Sequence, residues 1–254
     1  MPGILRKTEF LPIVDMSQCK KSQIRIITLF LFSFSVFLVN SAFGWDDETH
    51  LAIAKASEYS KWYYVAGPDI AKVKAGKIEI YNHFFDNNNN VEVVPEIIFD
   101  QAGRYNNPED EEGHLYGAIL ASLREYTSRL KEKNPEYHLI FCAHYIGDLS
   151  QPLHNIPYDD FNKEHHAGND GAAGEDVLSQ ISKIKKHMYR VNLRADHFEE
   201  DLAKEIALIA NKARLLGYEL KKGNRNLSKE EAYIQLGQSA SLFKAVLKHF
   251  NKVR

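Results

Sequence analysis

The segment His144-Tyr145-Ile146-Gly147-Asp148-Leu149-Ser150-Gln151-Pro152-Leu153-His154 puts three potential metal ligands within eleven residues. On a helix, His144 and Asp148 stand one turn apart on one face, so an imidazole nitrogen and a carboxylate oxygen can reach the same ion. Leu139, Cys142, Ala143, Ile146 and Leu149 form the opposite stripe, small and apolar, suited to a core. Pro152 ends such a helix and lets His154 project from the turn beyond it.

The remaining histidines and acids sort by the same criterion. His166 and Asp170 are again four apart, among small residues (Ala167, Gly168, Gly171) that let ligands approach an ion closely. His165 competes with His166, but four residues beyond it stands Asn169 rather than an acid. Asp100 and His114 are separated by thirteen residues, with His114 opening a helix. Trp45 precedes His50 by five residues. As an amino terminus, Trp45 would offer an α-amine, with a pKa of about 8, and a carbonyl oxygen able to close a chelate. His83, His138, His187, His197 and His249 show no ligand spacing and read as surface or internally satisfied side chains. Asp159, Asp160 and Asp176 read as solvated loop charges, and Trp62, Tyr63 and Tyr64 as core.

Elements must bring these groups together. Helical periodicity runs through residues 48–63, 113–133, 136–149, 175–190, 196–216 (ended by Gly217) and 228–250, the last opened by a Ser228-to-Glu231 capping box. Residues 64–68, 84–112 and 150–174 read as loops, and only 91–94 alternates like a strand. The expectation is an all-α fold, a single multi-helix domain with long ligand-bearing loops, acting as a monomer.

The first 44 residues fall outside that domain. Lys20, Lys21 and Arg25 lead into the uncharged apolar run 26–39, and small residues follow at Ser41, Ala42 and Gly44. The pattern predicts a signal peptide cut after Gly44, with Met16 as a possible true start. An uncleaved anchor is the alternative, although the run is shorter than the roughly 20 apolar residues a membrane span needs. The expected product is residues 45–254, secreted or periplasmic, with no stable membrane span after processing. The leader carries five basic and two acidic side chains, so its loss moves the formal charge from −2 to −5. Such a chain has no net field to draw in a polyanion, and any attraction to phosphate must be local. Cys19 leaves with the leader and Cys142 has no partner, so bound metal would replace disulfides as the staple.

The run at 144–154, the Trp followed by His near the mature start, the Asp and His thirteen residues apart and the closing His-x-x-x-Asp occur here in one order. Together they resemble the zinc-dependent phospholipase C superfamily, which includes the zinc-dependent single-strand nucleases. The resemblance implies three zinc ions. Asp100, His114, His144 and Asp148 would hold the first, and His154, His166 and Asp170 the second. Trp45 and His50, with a shared Asp148, would hold the third. It further implies a hydrolase in which water between two zincs attacks phosphorus, with Asp100 as the catalytic residue that orients or deprotonates that water.

The substrate is less sharply drawn. Choline-selective members place a Glu three residues after the Trp, here Glu48 as a substrate-binding residue, with aromatics flanking the Asp/His pair. Gln101 and Glu111 stand where those aromatics would be, so the choline cage is incomplete. The nucleases place an aromatic after the His, where this chain has Leu115. The preferred reading is a phospholipase C-like enzyme acting on a phospholipid or other phosphodiester. Single-stranded nucleic acid is the alternative substrate, and a zinc-binding protein without turnover a further alternative. Amino-terminal sequencing of the secreted protein should begin at Trp45. One residue added before it should cost one zinc per chain in metal analysis, whereas unchanged zinc would remove Trp45 from the ligand set.

Overall fold

The computed structural model describes residues 45–252, and among these no strand occurs. The signal peptide expected over 1–44 lies outside the described residues. Helix α1 spans Asp47–Ala56, shorter than the periodicity predicts, because Glu58 turns left-handed (φ 67°) immediately after it. A 3-10 turn at Trp62–Tyr64 follows. Helices α2 (Gly67–Ala75, with Pro68 in its first turn) and α3 (Lys77–Ile80) occupy a stretch to which the sequence reading assigns no element beyond residue 68, and α4 (Pro95–Ala102) lies inside the segment 84–112 that reads as a loop. The central pair is α5 (Leu115–Ser128) and α6 (Glu136–Leu149). The chain then passes through a 3-10 turn (Pro152–Asn155), α7 (Asp160–Asp170) and α8 (Ile181–His187). Two long helices, α9 (Phe198–Gly223) and α10 (Lys229–His249), close the domain.

Three differences from the sequence reading have physical causes. Residues 91–94 form no strand: Asn211 on α9 accepts from the Val93 amide (2.9 Å) and donates to the Val93 carbonyl (2.7 Å), satisfying both backbone groups as a neighbouring strand would. Gly217 does not end α9; a Cβ there would stand 2.8 Å from the Pro152 carbonyl, so the glycine admits the 3-10 turn against the helix. The actual stop is the left-handed Asn224. Residues 160–170 are helical because Asp159 caps them, its carboxylate accepting from the Asn162 amide. The capping box of α10 forms as expected.

Two apolar cores flank α6. The larger joins α5, α6, α9 and α10 through Tyr116, Ile119, Cys142, Ile146, Ile206 and Phe243. The smaller joins α1, α8, α9 and α10 through Ile53, Ile184, Leu220 and Leu236, with Trp45 just before α1. Cys142 is fully buried, which pushes its thiol up to about 12 and leaves it inert. No described helix is long and apolar enough to cross a membrane.

Helices α4 and α5 touch through Gly117, where an added Cβ would fall 2.1 Å from the Gln101 backbone. The Gln101 side-chain oxygen also accepts from the Tyr116 and Gly117 amides, capping the start of α5. Gly117→Ala is therefore expected to cost about 1–3 kcal/mol by overpacking, read as a lower urea midpoint. An unchanged midpoint would mean that α4 is free to shift.

Candidate metal centre

Asp148, on the last turn of α6, is the hub. Its side chain is fully buried, and four imidazoles surround it. His83 Nδ1 lies 2.8 Å from Oδ2, His50 Nε2 3.3 Å from Oδ1, His144 Nε2 3.4 Å from Oδ2 and His154 Nδ1 3.7 Å from Oδ1. Burial alone would raise this carboxyl; His144 and His50 outweigh that and hold it ionised, well below the ordinary range. His50 reaches the hub because residue 147 is glycine: a Cβ there would stand 2.4 Å from His50 Nδ1. The His50 and His144 rings stack at 3.7 Å. Trp45 is buried in the same corner and donates its indole N–H to the Gly147 carbonyl at 3.0 Å.

Backbone and side-chain acceptors fix how several rings point. His144 Nδ1–H donates to the Val65 carbonyl (2.8 Å) and His154 Nδ1–H to the His83 carbonyl (2.6 Å). His166 Nδ1–H donates to Asn162 Oδ1 (2.7 Å), whose amide nitrogen is engaged by the Leu153 and Pro157 carbonyls. The Nε2 atoms of His154 and His166 consequently face each other as acceptors 3.3 Å apart, with Asp170 Oδ2 3.6 Å from His166 Nε2. Two lone pairs opposed at that distance, beside a carboxylate, call for a cation between them.

Three buried or half-buried groups have donor atoms mutually within 4.8 Å: His50, Asp69 and His144; His83, His144 and Asp148; and His154, His166 and Asp170. Several of these atoms, including His50 Nε2, His144 Nε2, Asp148 Oδ1 and Asp170 Oδ2, are buried without a hydrogen-bond partner. Native interiors rarely tolerate so many such atoms, and divalent cations would satisfy them together. The donor set fits metal ions.

Asp100 and His114 do not join this assembly. The Asp100 side chain is 73% exposed and pairs with Arg104 at 3.0 Å, because α4 buries Ile98 and Gln101 instead. His114 spends both ring nitrogens on Asp110 (2.9 Å) and Asn82 (2.8 Å). Asp69 and His83 stand in their place, with the same thirteen residues between them. His83, which the spacing criterion passed over, is fully buried and bridges Asp148 to Glu79 (3.0 Å). The repeated interval was the available signal, and the Gly67-Pro68-Asp69 helix start was what could have favoured the earlier pair. Glu48 is exposed on the first turn of α1.

Charge is graded across the site. Lys72 forms an ion pair with Asp69 and lies close enough to depress His154 and His166 electrostatically. Burial is first, with Lys72 adding, in lowering His154 to about 4; burial and then His154 lower His166 to about 3. Burial also raises Asp170 well above the carboxylate range, with Asp46 and Asp148 adding to it. At the solvent edge, burial and the neighbouring Asp69 raise Asp47 to about 6.

Comparison of the chain with protein-family models, curated proteins and solved structures returned no match. The geometry of the centre therefore carries the functional reading.

The two depressed histidines give the metal-free protein a pH signature. Both rings are neutral in the fold and would take a proton near pH 6.5 once unfolded, so the unfolded state binds more protons below that pH. In the chelated, folded protein the His154 ring should accordingly stay neutral by NMR as the pH falls through 6.5 and take its proton only at about 4. Titration of His154 and His166 near pH 6.5 in the folded protein would show that both rings are solvated.

Proposed function

We propose that the centre holds three zinc ions and that the chain is a phosphoric diester hydrolase of the phospholipase C-like type. The observation that carries this reading is the convergence of His50, Asp69, His83, His144, Asp148, His154, His166 and Asp170 with buried, unsatisfied donor atoms. Asp69, His83, His144 and Asp148 would hold one ion, and His154, His166 and Asp170 another. Trp45 and His50, sharing Asp148, would hold the third if processing frees the Trp45 amine. Bound zinc would supply charge neutralisation at phosphorus and make water a competent nucleophile near neutral pH. Export with cleavage after Gly44 belongs to the same reading.

The chain's own residues supply the rest. Asp69 replaces Asp100 as the carboxylate at the reacting centre: it is the ligand-bearing acid nearest solvent, its side chain 23% exposed. Burial works against its charge, but His144 and Lys72 keep it ionised, able to orient a water by accepting its hydrogen bond. Lys72, held by Asp69, would meet the phosphate oxygens as charge develops there.

Beside His154 and His166 opens a cleft of about 230 Å³, lined by Ile80, Phe84, Leu153, Ile156 and Tyr158 with the carboxylates of Asp86 and Glu111. Burial, and then Asp159 and Glu112, raise Asp86, while the Tyr158 amide that donates to it lowers it. Glu111 is paired with Lys77 and the Tyr158 ring lies under the Lys163 ammonium, but Asp86, a carboxylate crowded by other acids, gains from a cation, and the neighbouring Phe84 ring suits an ammonium headgroup. That combination favours a phospholipid with a cationic headgroup. Phe84 directly follows His83, however, which is where the nucleases place a base-stacking ring. Single-stranded nucleic acid therefore stands as the second reading.

Hydrolysis of bis(4-nitrophenyl) phosphate should vanish on chelation and return with zinc. Lys72→Met should lower kcat/KM about 100-fold at unchanged zinc content. Phosphatidylcholine or phosphatidylethanolamine should release diacylglycerol. Release of nucleotides from single-stranded DNA or RNA without diacylglycerol would transfer the assignment to the second reading, and no diester cleavage at full zinc loading would end both.

A further inference from the structure

The centre meets solvent along α2. Asp69 is its most exposed acid, whereas the side chains of His50, His83, His144 and Asp148 are wholly buried. On that side, α2 and its neighbours carry a row of uncovered apolar side chains. Val73 is 80% exposed, Ile70 66%, Tyr63 and Tyr64 55% each and Ile78 46%. Trp62 is partly buried against the larger core as expected, but the two tyrosines read as core from sequence are not. Ile70 and Val73 are three residues apart and share a helical face, and Val73 follows Asp69 by one turn, so the apolar row adjoins the centre's open edge.

The same stretch is locally basic. Residues 61–78 contain Lys61, Lys72, Lys74 and Lys77 against the single acid Asp69; Lys61 pairs with Glu136 (3.9 Å), Lys72 with Asp69 and Lys77 with Glu111 (3.1 Å), and Lys74 stands outside these ion pairs. Lys74 and Lys77 are exposed beside Val73 and Ile78. Exposed aliphatic and tyrosine side chains interspersed with lysines, on the stretch that carries Asp69, mark a contact surface rather than a solvated face.

We propose that residues 61–78 form a membrane-docking surface that sets the metal centre against the headgroups of a bilayer containing anionic lipid. Ile70 and Val73 would enter the boundary between headgroups and acyl chains. Tyr63 and Tyr64 would sit at headgroup level, and Lys74 would meet lipid phosphates. Single-stranded nucleic acid would engage lysines and tyrosines but leave the two most exposed residues, both aliphatic, in water. A second copy packed on this face would bring lysines against lysines. The inference rests on the phospholipid reading of the site for its purpose, while binding itself needs no turnover.

The test is co-sedimentation of the zinc-loaded protein with phosphatidylcholine vesicles containing phosphatidylglycerol, against pure phosphatidylcholine, at low and raised salt. The expected result is binding to the mixed vesicles that weakens with salt. Val73→Asp should reduce partitioning on the order of tenfold, and Lys74→Glu should reduce it at low salt in particular. The same change at Leu215, 56% exposed on α9, should leave partitioning intact. Circular dichroism checks that each variant folds. Four outcomes overturn the proposal: no vesicle binding by the parent protein, equal loss in Leu215→Asp, single-stranded DNA binding lost in Val73→Asp while vesicle binding persists, or a dimer that Val73→Asp dissolves without any lipid effect. Cleavage of bis(4-nitrophenyl) phosphate without vesicle binding would sink the docking surface alone. Vesicle binding without diester cleavage would sink the hydrolase reading alone.

Discussion

One buried carboxylate organises this protein. Asp148 sits out of water with its charge intact, which costs several kcal/mol unless partners compensate it. The compensation comes from four separate places: His50 on α1, His83 in the link after α3, His144 on α6 itself and His154 in the 3-10 turn that follows. Each of those elements must therefore pack to within one imidazole of the end of α6. The two apolar cores on either side of α6 hold that approach from without. Gly147 permits it from within, since any side chain there would collide with His50. Packing and site are thus one problem solved at one helix.

The parts of this arrangement visible in the sequence are those in which cause and effect lie close along the chain. His144 and Asp148 share a face because the helix repeat places them there, and His154 turns inward because Pro152 ends that helix. His166 and Asp170 were found by the same four-residue step, although their segment reads as a loop; the Asp159 cap that makes it helical is a single-residue signal. What the sequence could not decide was a choice between two pairs with equal spacing. Asp69/His83 and Asp100/His114 share that interval, and long-range packing sets which of them turns to the centre. The Trp62 to Tyr64 stretch shows the same gap, since apolar composition does not reveal which side chains the fold will leave uncovered.

The displaced pair is nevertheless tied to the centre. His83 passes from Asp148 to Glu79, whose carboxylate also accepts from Tyr145 (2.8 Å) and Asn82 (3.3 Å). Asn82 accepts at its side-chain oxygen from His114 at 2.8 Å, and His114 contacts Asp110, which Arg104 clamps with two hydrogen bonds of 2.9 Å before reaching Asp100. A polar chain so continuous does for His83 what outer carboxylates do for metal-binding histidines: it fixes the ring's orientation and strengthens its outward nitrogen as a donor. His114 is thus a buried histidine with a purpose but no free nitrogen, a condition that spacing alone cannot distinguish from a ligand.

Net charge gives a poor account of what such a protein attracts, because the groups around the centre differ from one side to the other. Toward α2 stand Lys72 and the exposed Lys74 of an apolar rim; toward His154 and His166 stands a cleft with Asp86 and with Glu111, which pairs with Lys77 of the rim. A nucleic acid strand presents like charges at every step and would be drawn to one side and repelled by the other. A zwitterionic lipid carries a phosphate and an ammonium a few bonds apart, with its acyl chains leading away. Under the proposed reading its phosphate lies at the metal centre by Lys72, its cation in the acidic cleft and its chains toward the apolar rim. The site's three environments then fall in the order in which such a molecule is built.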